Sequence, residues 1–349
     1  MNRLRLSFLS SVTVLIACGS SLHAAPFTWN GAAASVSFQD GGNWVGGVAA
    51  PSGSDLLFGA DSGAGFAGLD AGAIFNAPTV SFLSDASSGF YITGLSSNDI
   101  LNITGTGTTV TNASSFQMGT QALTVSIGGT QTWNGGANGL SIFAVDLGNN
   151  RTLTLDGAGT TAGTRNEIVF GIDGTGTSGV TKQGAGTLLF SGTNFYTGAT
   201  TVSAGTLQLG ASERISSSSN LVMNGGTFNT GGFDETVGKL SLTNFSTIDF
   251  GSSNASDLVF SLSSDQVWGG FTLNIMNFNV GLDTLRFGTN NTGLTSSQLL
   301  NNIRFNGTTA GQIDSNGFVT PTVVPEPSAM LLMGLGLASL VSRRRSRRS

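Results

Sequence analysis

The 349-residue chain has one cysteine and one histidine, Cys18 and His23, and only 9% of its residues are charged, against a usual share of about 25%. Cys18 and His23 both fall in residues 1–24, which read as a removable secretion signal. Arg3 and Arg5 form a basic start, Leu6 to Ala17 is a short apolar run, and Leu22-His23-Ala24 offers a small-residue cleavage site. A mature body starting near Ala25 or Pro26 then has no disulfide, no Cys–His or Ser–His couple, and no His or Cys to hold a metal. On that reading zinc hydrolases and the usual serine and cysteine hydrolases are excluded. Basic residues are also scarce in the body: residues 25–324 hold 7 basic and 18 acidic residues, a net of −11 where the whole chain is −5. Nucleic acid and anionic membrane surfaces are therefore poor partners for it.

What the chain does have is glycine, 52 residues, about twice the ordinary share. Low charge with many Gly, Ser, Thr and Asn residues can signal disorder, but disorder needs low hydrophobicity. Here 39% of residues are hydrophobic and Phe alone occurs 23 times. The glycines therefore read as turn punctuation between strands. Near the N-terminus Leu15-Ile16-Ala17-Cys18 resembles a bacterial lipobox, in which the Cys would be lipidated after cleavage. The plainer reading is that Cys18 is a small apolar residue inside the signal, and it is preferred because a four-residue pattern of common types carries little specificity.

The C-terminal residues 325–349 fall into three parts. Pro325-Glu326-Pro327 breaks regular structure, Ala329 to Val341 is uncharged, and Arg343, Arg344, Arg345, Arg347 and Arg348 follow. The apolar run is short of the roughly 20 residues that a spanning helix needs, and the arginines would hold a cytoplasmic end. This order of motif, apolar stretch and arginine cluster resembles the PEP-CTERM sorting signal. The resemblance implies a transient membrane contact through the tail and a partner, an exosortase-type sorting protease acting at Pro325, Glu326 and Pro327.

Between the two ends, β-branched and aromatic runs such as Val36–Phe38, Thr79–Leu83, Leu123–Ile127, Thr187–Ser191 and Phe271–Ile275 recur roughly every 8 to 14 residues between Gly, Asn, Asp or Ser. This is an all-β pattern, with one short helix candidate over 294–303. A β-sandwich, a barrel and a solenoid all fit the strand count. Strong two-residue hairpin signals are missing between the strands, and 300 residues is long for one sandwich. Gly184-Ala-Gly-Thr-Leu-Leu-Phe-Ser-Gly192 is followed nineteen residues on by Ser203-Ala-Gly-Thr-Leu-Gln-Leu-Gly210, and Asn224-Gly-Gly-Thr-Phe-Asn229 echoes both. A period near 20 fits a solenoid in which Leu188 and Leu207 stack inward, with Gly186 and Gly205 at equivalent corners; a β-sandwich is the alternative. Residues 179–210 resemble one autotransporter-associated β-strand repeat, which implies a right-handed parallel β-helix. Thr28–Gly31, Gly42–Trp44 and Asp55–Phe58 resemble the opening rungs of such proteins.

Chemistry is sparse. The carboxylates Asp146, Asp156, Asp173, Asp234, Glu235, Asp249, Asp257, Asp265 and Asp283 read as solvated loop or corner groups. Lys182 is part of the repeat pattern. Trp29, Trp44, Trp133 and Trp268 can stack on sugars, although buried or rung-capping roles fit better. No catalytic, cofactor or metal constellation is indicated. The expectation is a non-enzymatic structural or adhesive protein of the cell surface, outer membrane or extracellular matrix of a Gram-negative bacterium, with extracellular polysaccharide as a possible partner. The rivals are a β-helical polysaccharide-acting enzyme, marked by clustered Asp, Arg or Lys on one face, and a carbohydrate-binding protein, marked by a row of exposed Trp and Tyr.

Overall fold

Strands in which Leu, Ile, Val or Phe alternate with Thr, Ser or Asn have one apolar and one polar edge. In Thr206–Leu209, Leu207 and Leu209 are buried while Thr206 and Gln208 are part-exposed. A strand of four residues cannot shield its own apolar edge, so it must lie on a copy of itself. The computed structural model describes residues 25–322 apart from 60–64, 71, 87–88, 97, 162 and 252–254. It stacks these strands in parallel as a β-solenoid of about 9 turns.

Each turn visits three faces. The first is a ten-stranded sheet in strict chain order from Phe27–Trp29 to Leu240–Leu242. The second includes Phe66–Leu69, Tyr91–Gly94, Met118–Gln121, Thr187–Phe190 and Thr206–Leu209, and continues to Ile303–Phe305. The third begins with Ile74–Ala77, Ile100–Ile103 and Thr124–Ile127, and ends with Glu235–Val237, Asp257–Phe260 and Thr284–Phe287. Two longer strands, Leu140–Asn149 and Asn166–Thr175, run through the corner between the second and third faces and join both. Parallel pairing throughout this body rules out the sandwich.

The register makes the interior a set of columns. On the second face Asn166, Leu188, Leu207, Phe228, Ile248, Ile275 and Phe305 lie one on the next. Leu188 and Leu207 are fully buried at equivalent positions nineteen residues apart, as their repeat implies. Gly205 has φ +60°, and a Cβ there would lie 2.3 Å from the Gly186 carbonyl oxygen. Gly186 itself sits where a Cβ would approach the Gly159 carbonyl oxygen to 2.5 Å. Stacked backbones leave no room at these corners. The echo comes two residues later than the nineteen between Leu188 and Leu207: Phe228 pairs Leu207 after 21 residues. Nor does a period near 20 hold everywhere. It fits Lys182–Val202–Met223–Leu242 on the first face, whereas Val80 to Val110 spans 30 residues. Longer corner loops in the upper turns account for the difference.

Both ends of the stack are covered. At the N-terminal end Trp29, Phe38 and Trp44 pack edge-on and tilted with ring centroids 5.0–5.5 Å apart. Val45 N donates to Thr28 O and Asn30 N to Asn43 O, so an antiparallel flap satisfies the open edge of Phe27–Trp29. At the other end the antiparallel strands Thr309–Ile313 and Val319–Pro321 close the ladder. The expected helix is a single short turn over Gln298–Asn302, started by a reciprocal cap in which Thr295 N donates to Gln298 Oε1 and Gln298 N to Thr295 Oγ1.

Leu188→Asp places an unpaired charge inside a dry column and should cost more than about 4 kcal/mol or prevent folding. Gln208→Lys, one residue along the neighbouring strand on the opposite edge, should change stability by less than about 0.5 kcal/mol. Urea unfolding of the two variants distinguishes them, and equal tolerance would contradict the column.

Candidate functional site

Strand alternation sends Asp234 outward and Glu235 inward, so these neighbours in sequence do not form a carboxylate pair. Asp234 Oδ1 accepts from Asp257 N, while Glu235 is fully buried. Glu235 Oε2 accepts from Arg214 N at 2.8 Å and Oε1 from Ile215 N at 3.0 Å. Burial pushes its carboxyl up to about 8. Asp283 is also buried, accepting from Ser256 N and Asn279 N. Reading both as solvated was therefore wrong. They stand where backbone N–H groups at a corner of the third face lack a strand partner. Asn194 does related work one turn above Arg214, accepting from Ile172 N and donating to Arg214 O.

Lys182, part of the repeat pattern, is also buried. It occupies an inward position between Leu155 and Val202 and is 1% exposed. Its stem fills the apolar column, and its Nζ donates to the carbonyl oxygens of Gln183, Gly184 and Ala204 at 2.6–3.2 Å. Burial lowers the ammonium to about 8, partly opposed by the Asp156 carboxylate. No signal in the sequence separates this lysine from a surface one except its place in the repeat.

All four tryptophans are buried, with Trp44 Nε1 bonded to Phe38 O, Trp133 Nε1 to Gln131 Oε1 and Trp268 Nε1 to Leu240 O. A row of exposed Trp is therefore not what this surface offers. The exposed rings are phenylalanines, Phe66, Phe116, Phe170, Phe195 and Phe245, spread along the stack, and Phe170 has a second ring stacked beside it at one corner. Phe143 and Phe170 stack at 5.3 Å with their planes 14° apart where the two long strands turn from the second to the third face. Phe170 is 68% exposed and Leu95, on the same corner two turns above Phe143, is 52% exposed. With Leu123, Thr124 and Asp173 they line an open groove of about 610 Å³ that crosses successive turns.

The shape of the groove has local causes. The register shifts between Ile142 and Ala144, at the bend, and Phe143 N donates to Thr120 Oγ1 of the turn above. At Gly171 a Cβ would lie 2.2 Å from the Thr193 carbonyl oxygen, so only glycine lets the strand continue past Phe170. Beside the groove on the third face runs an outward column of Asn76, Asn102, Ser126, Asp146 and Asp173. Asn102 Nδ2 donates to Asn76 Oδ1 within it. Asp146 and Asp173 are direct cross-strand neighbours. On the second face Phe66 and Tyr91 pair at 6.3 Å, and the outward column continues from Tyr91 through Gly119 and Ser141 to Glu167. Burial, then the Glu167 carboxylate, raises the Tyr91 hydroxyl. The sorting residues Pro325, Glu326, Pro327, Arg343, Arg344 and Arg345, and Cys18, lie outside the described residues.

Two family models match the chain. Residues 180–209 match the passenger-associated-transport-repeat and residues 323–347 the PEP-CTERM protein-sorting motif. Both agree with the resemblances read from the sequence, and they imply an exported, surface-associated protein. A 75-residue stretch is 39% identical to the adhesin BmaC autotransporter of Brucella suis biovar 1 (strain 1330). That match covers 21% of this chain and 2% of the adhesin, so the chain spans a small fraction of that relative. No solved structure matches.

The raised Glu235 carboxyl has a signed consequence for stability. Between about pH 4.5 and about pH 8 the unfolded chain loses this proton while the folded chain keeps it, so stability falls as pH rises through that window. Lys182 acts only above about 8, where its early deprotonation in the fold adds stability. Melting temperature should therefore drop from about pH 5 to about pH 8, and Glu235→Gln should flatten the drop. An unchanged slope in the variant would assign the effect elsewhere.

Proposed function

We propose that this chain is a non-catalytic structural or adhesive component of the bacterial cell surface or its polymer matrix, delivered there by exosortase-dependent sorting. The observation that carries the reading is the pairing of a sorting tail with a long, rigid β-solenoid. The first face of that body is a parallel ladder whose outward column, Thr132, Thr154, Thr181, Thr201, Val222 and Ser241, holds small uncharged side chains. Such a body suits presentation of an extended surface: each turn contacts only its neighbours, and length is added without a new core. The similarity of one stretch to an adhesin points the same way. The acidic balance of the body favours a neutral or basic environment over nucleic acid or anionic lipid.

One observation supports a second reading, a polysaccharide-acting enzyme. Asp146 and Asp173 stand on adjacent strands at the edge of the groove, and strands in a sheet are about 4.8 Å apart. Retaining glycosidases hold their two carboxyl groups at about 5–5.5 Å. The apolar wall beside the pair, and the lack of a nearby cation in the groove lining among the described residues, favour binding over cleavage.

Two measurements test the proposal. Intact mass of the surface form from the native host should show the tail removed at Pro325-Glu326-Pro327, and Pro325→Ala or replacement of Arg343, Arg344 and Arg345 by Ala should leave it attached and the protein retained. A surface form with its tail intact sinks the sorting step. The exported protein should release no reducing ends from bacterial exopolysaccharide; release abolished by Asp173→Asn would turn the reading to the enzyme.

A further inference from the structure

We infer that the groove at the corner of the second and third faces is a binding site for a linear glycan that carries no acidic groups. The inference rests on the adhesive reading above and names its ligand. Three features converge on it. First, the stacked Phe143 and Phe170 and the exposed Leu95 form an apolar wall in which Phe170, at 68% exposure, leaves ring surface open to solvent. Contiguous exposed apolar surface on a protein with so few charged residues marks a contact site. It costs solubility with no gain to the core, because Phe170 contributes to no inward column.

Second, the wall faces a polar ladder. Thr124 and Asp173 line the groove, and Ser126 and Asp146 continue the column that ends at Asp173. A pyranose chain has this same division: C–H faces that pack on rings and an edge of hydroxyls that hydrogen-bond to carboxylates and hydroxyls. Hydroxyl donors satisfy Asp173 without bringing a charge. Third, the groove runs across the turns, so its polar and apolar groups repeat at the strand spacing of about 4.8 Å along one direction. That is a track for a polymer and not a pocket for a small molecule.

Charge decides between glycans. With Asp173 in the groove lining, Asp146 beside it in the outward column and Glu167 below Tyr91 on the neighbouring face, in a body of net −11, a polyuronate or sulfated chain would meet like charge. A neutral chain does not. A second copy of the protein is disfavoured by the same net charge.

Affinity electrophoresis of the exported protein tests this, in native gels containing a soluble β-glucan, dextran or polygalacturonate. Retardation is expected in at least one neutral gel and absent in polygalacturonate. Phe170→Ala should weaken it about tenfold, as for loss of one aromatic anchor. Asp173→Asn should weaken it less, and Thr201→Ala on the first face should leave it unchanged. Phe170 is exposed, so its variant should melt with the parent, which separates lost binding from lost fold. The inference is overturned by no retardation in either neutral gel, by equal retardation of Phe170→Ala, by stronger retardation in polygalacturonate, or by a Phe170-dependent dimer in sedimentation. A surface-displayed protein that fails here refutes the glycan groove and leaves the sorting reading standing. A protein that binds but never reaches the surface does the reverse.

Discussion

In a parallel solenoid every inward side chain lies between the same position of the turn before and the turn after. Each such position is sealed from water by its neighbours, so a polar atom placed there must find its partner in backbone at the corners. Most positions meet this demand with apolar residues, as in the run from Leu188 through Leu207, Phe228, Ile248 and Ile275 to Phe305. Burying each such side chain contributes about 1.5–3 kcal/mol, and this outweighs what any one surface ion pair can add. The one ion pair among the described residues, Lys239 with Asp265, is exposed on both sides.

The exceptions obey the same rule. Asn166 stands in the second-face column directly above Leu188, yet its Oδ1 accepts from Leu140 N and its Nδ2 donates to Asp156 O. Lys182 spends its three donors on three carbonyl oxygens, and Glu235 spends its two oxygens on two N–H groups. Tyr196 is buried with its hydroxyl against Thr200 Oγ1, which in turn meets Ser219 Oγ. These groups sit where a face loses its regular strand, so their side chains complete a ladder that the backbone leaves open. Their shifted protonation is a consequence of that structural duty, and by itself is no sign of catalysis.

The outward positions are under no such demand, and that is where the turns differ. Near residues 180–209 the turns are short, the corners are glycine-tight and the outward first-face residues Thr181 and Thr201 are small. Higher in the stack the turns lengthen, two strands run through a corner, and Phe143 and Phe170 stack there. The most recognisable segment of the chain is therefore the most structural one. The groove lies in turns outside the matched repeat, where corner loops of unequal length set its shape.

The sequence by itself determined the all-β class, the nineteen-residue pairing of Leu188 with Leu207, and the sorting signal at Pro325-Glu326-Pro327. Alternation within a strand, glycine at a crowded corner and a linear motif are all local, and local features are written in order along the chain. Only the tertiary structure decided that Lys182 and Glu235 point inward and that Leu95, Phe143, Phe170 and Asp173 meet. These residues come from turns of unequal length, Leu95 two turns above Phe143 and Phe170 with Asp173 one below it, so their register is set by corner loops whose size no period reveals. A charged residue within an alternating pattern looks the same whether it faces water or carbonyl oxygens; the neighbouring turns settle which, because they alone supply the partners.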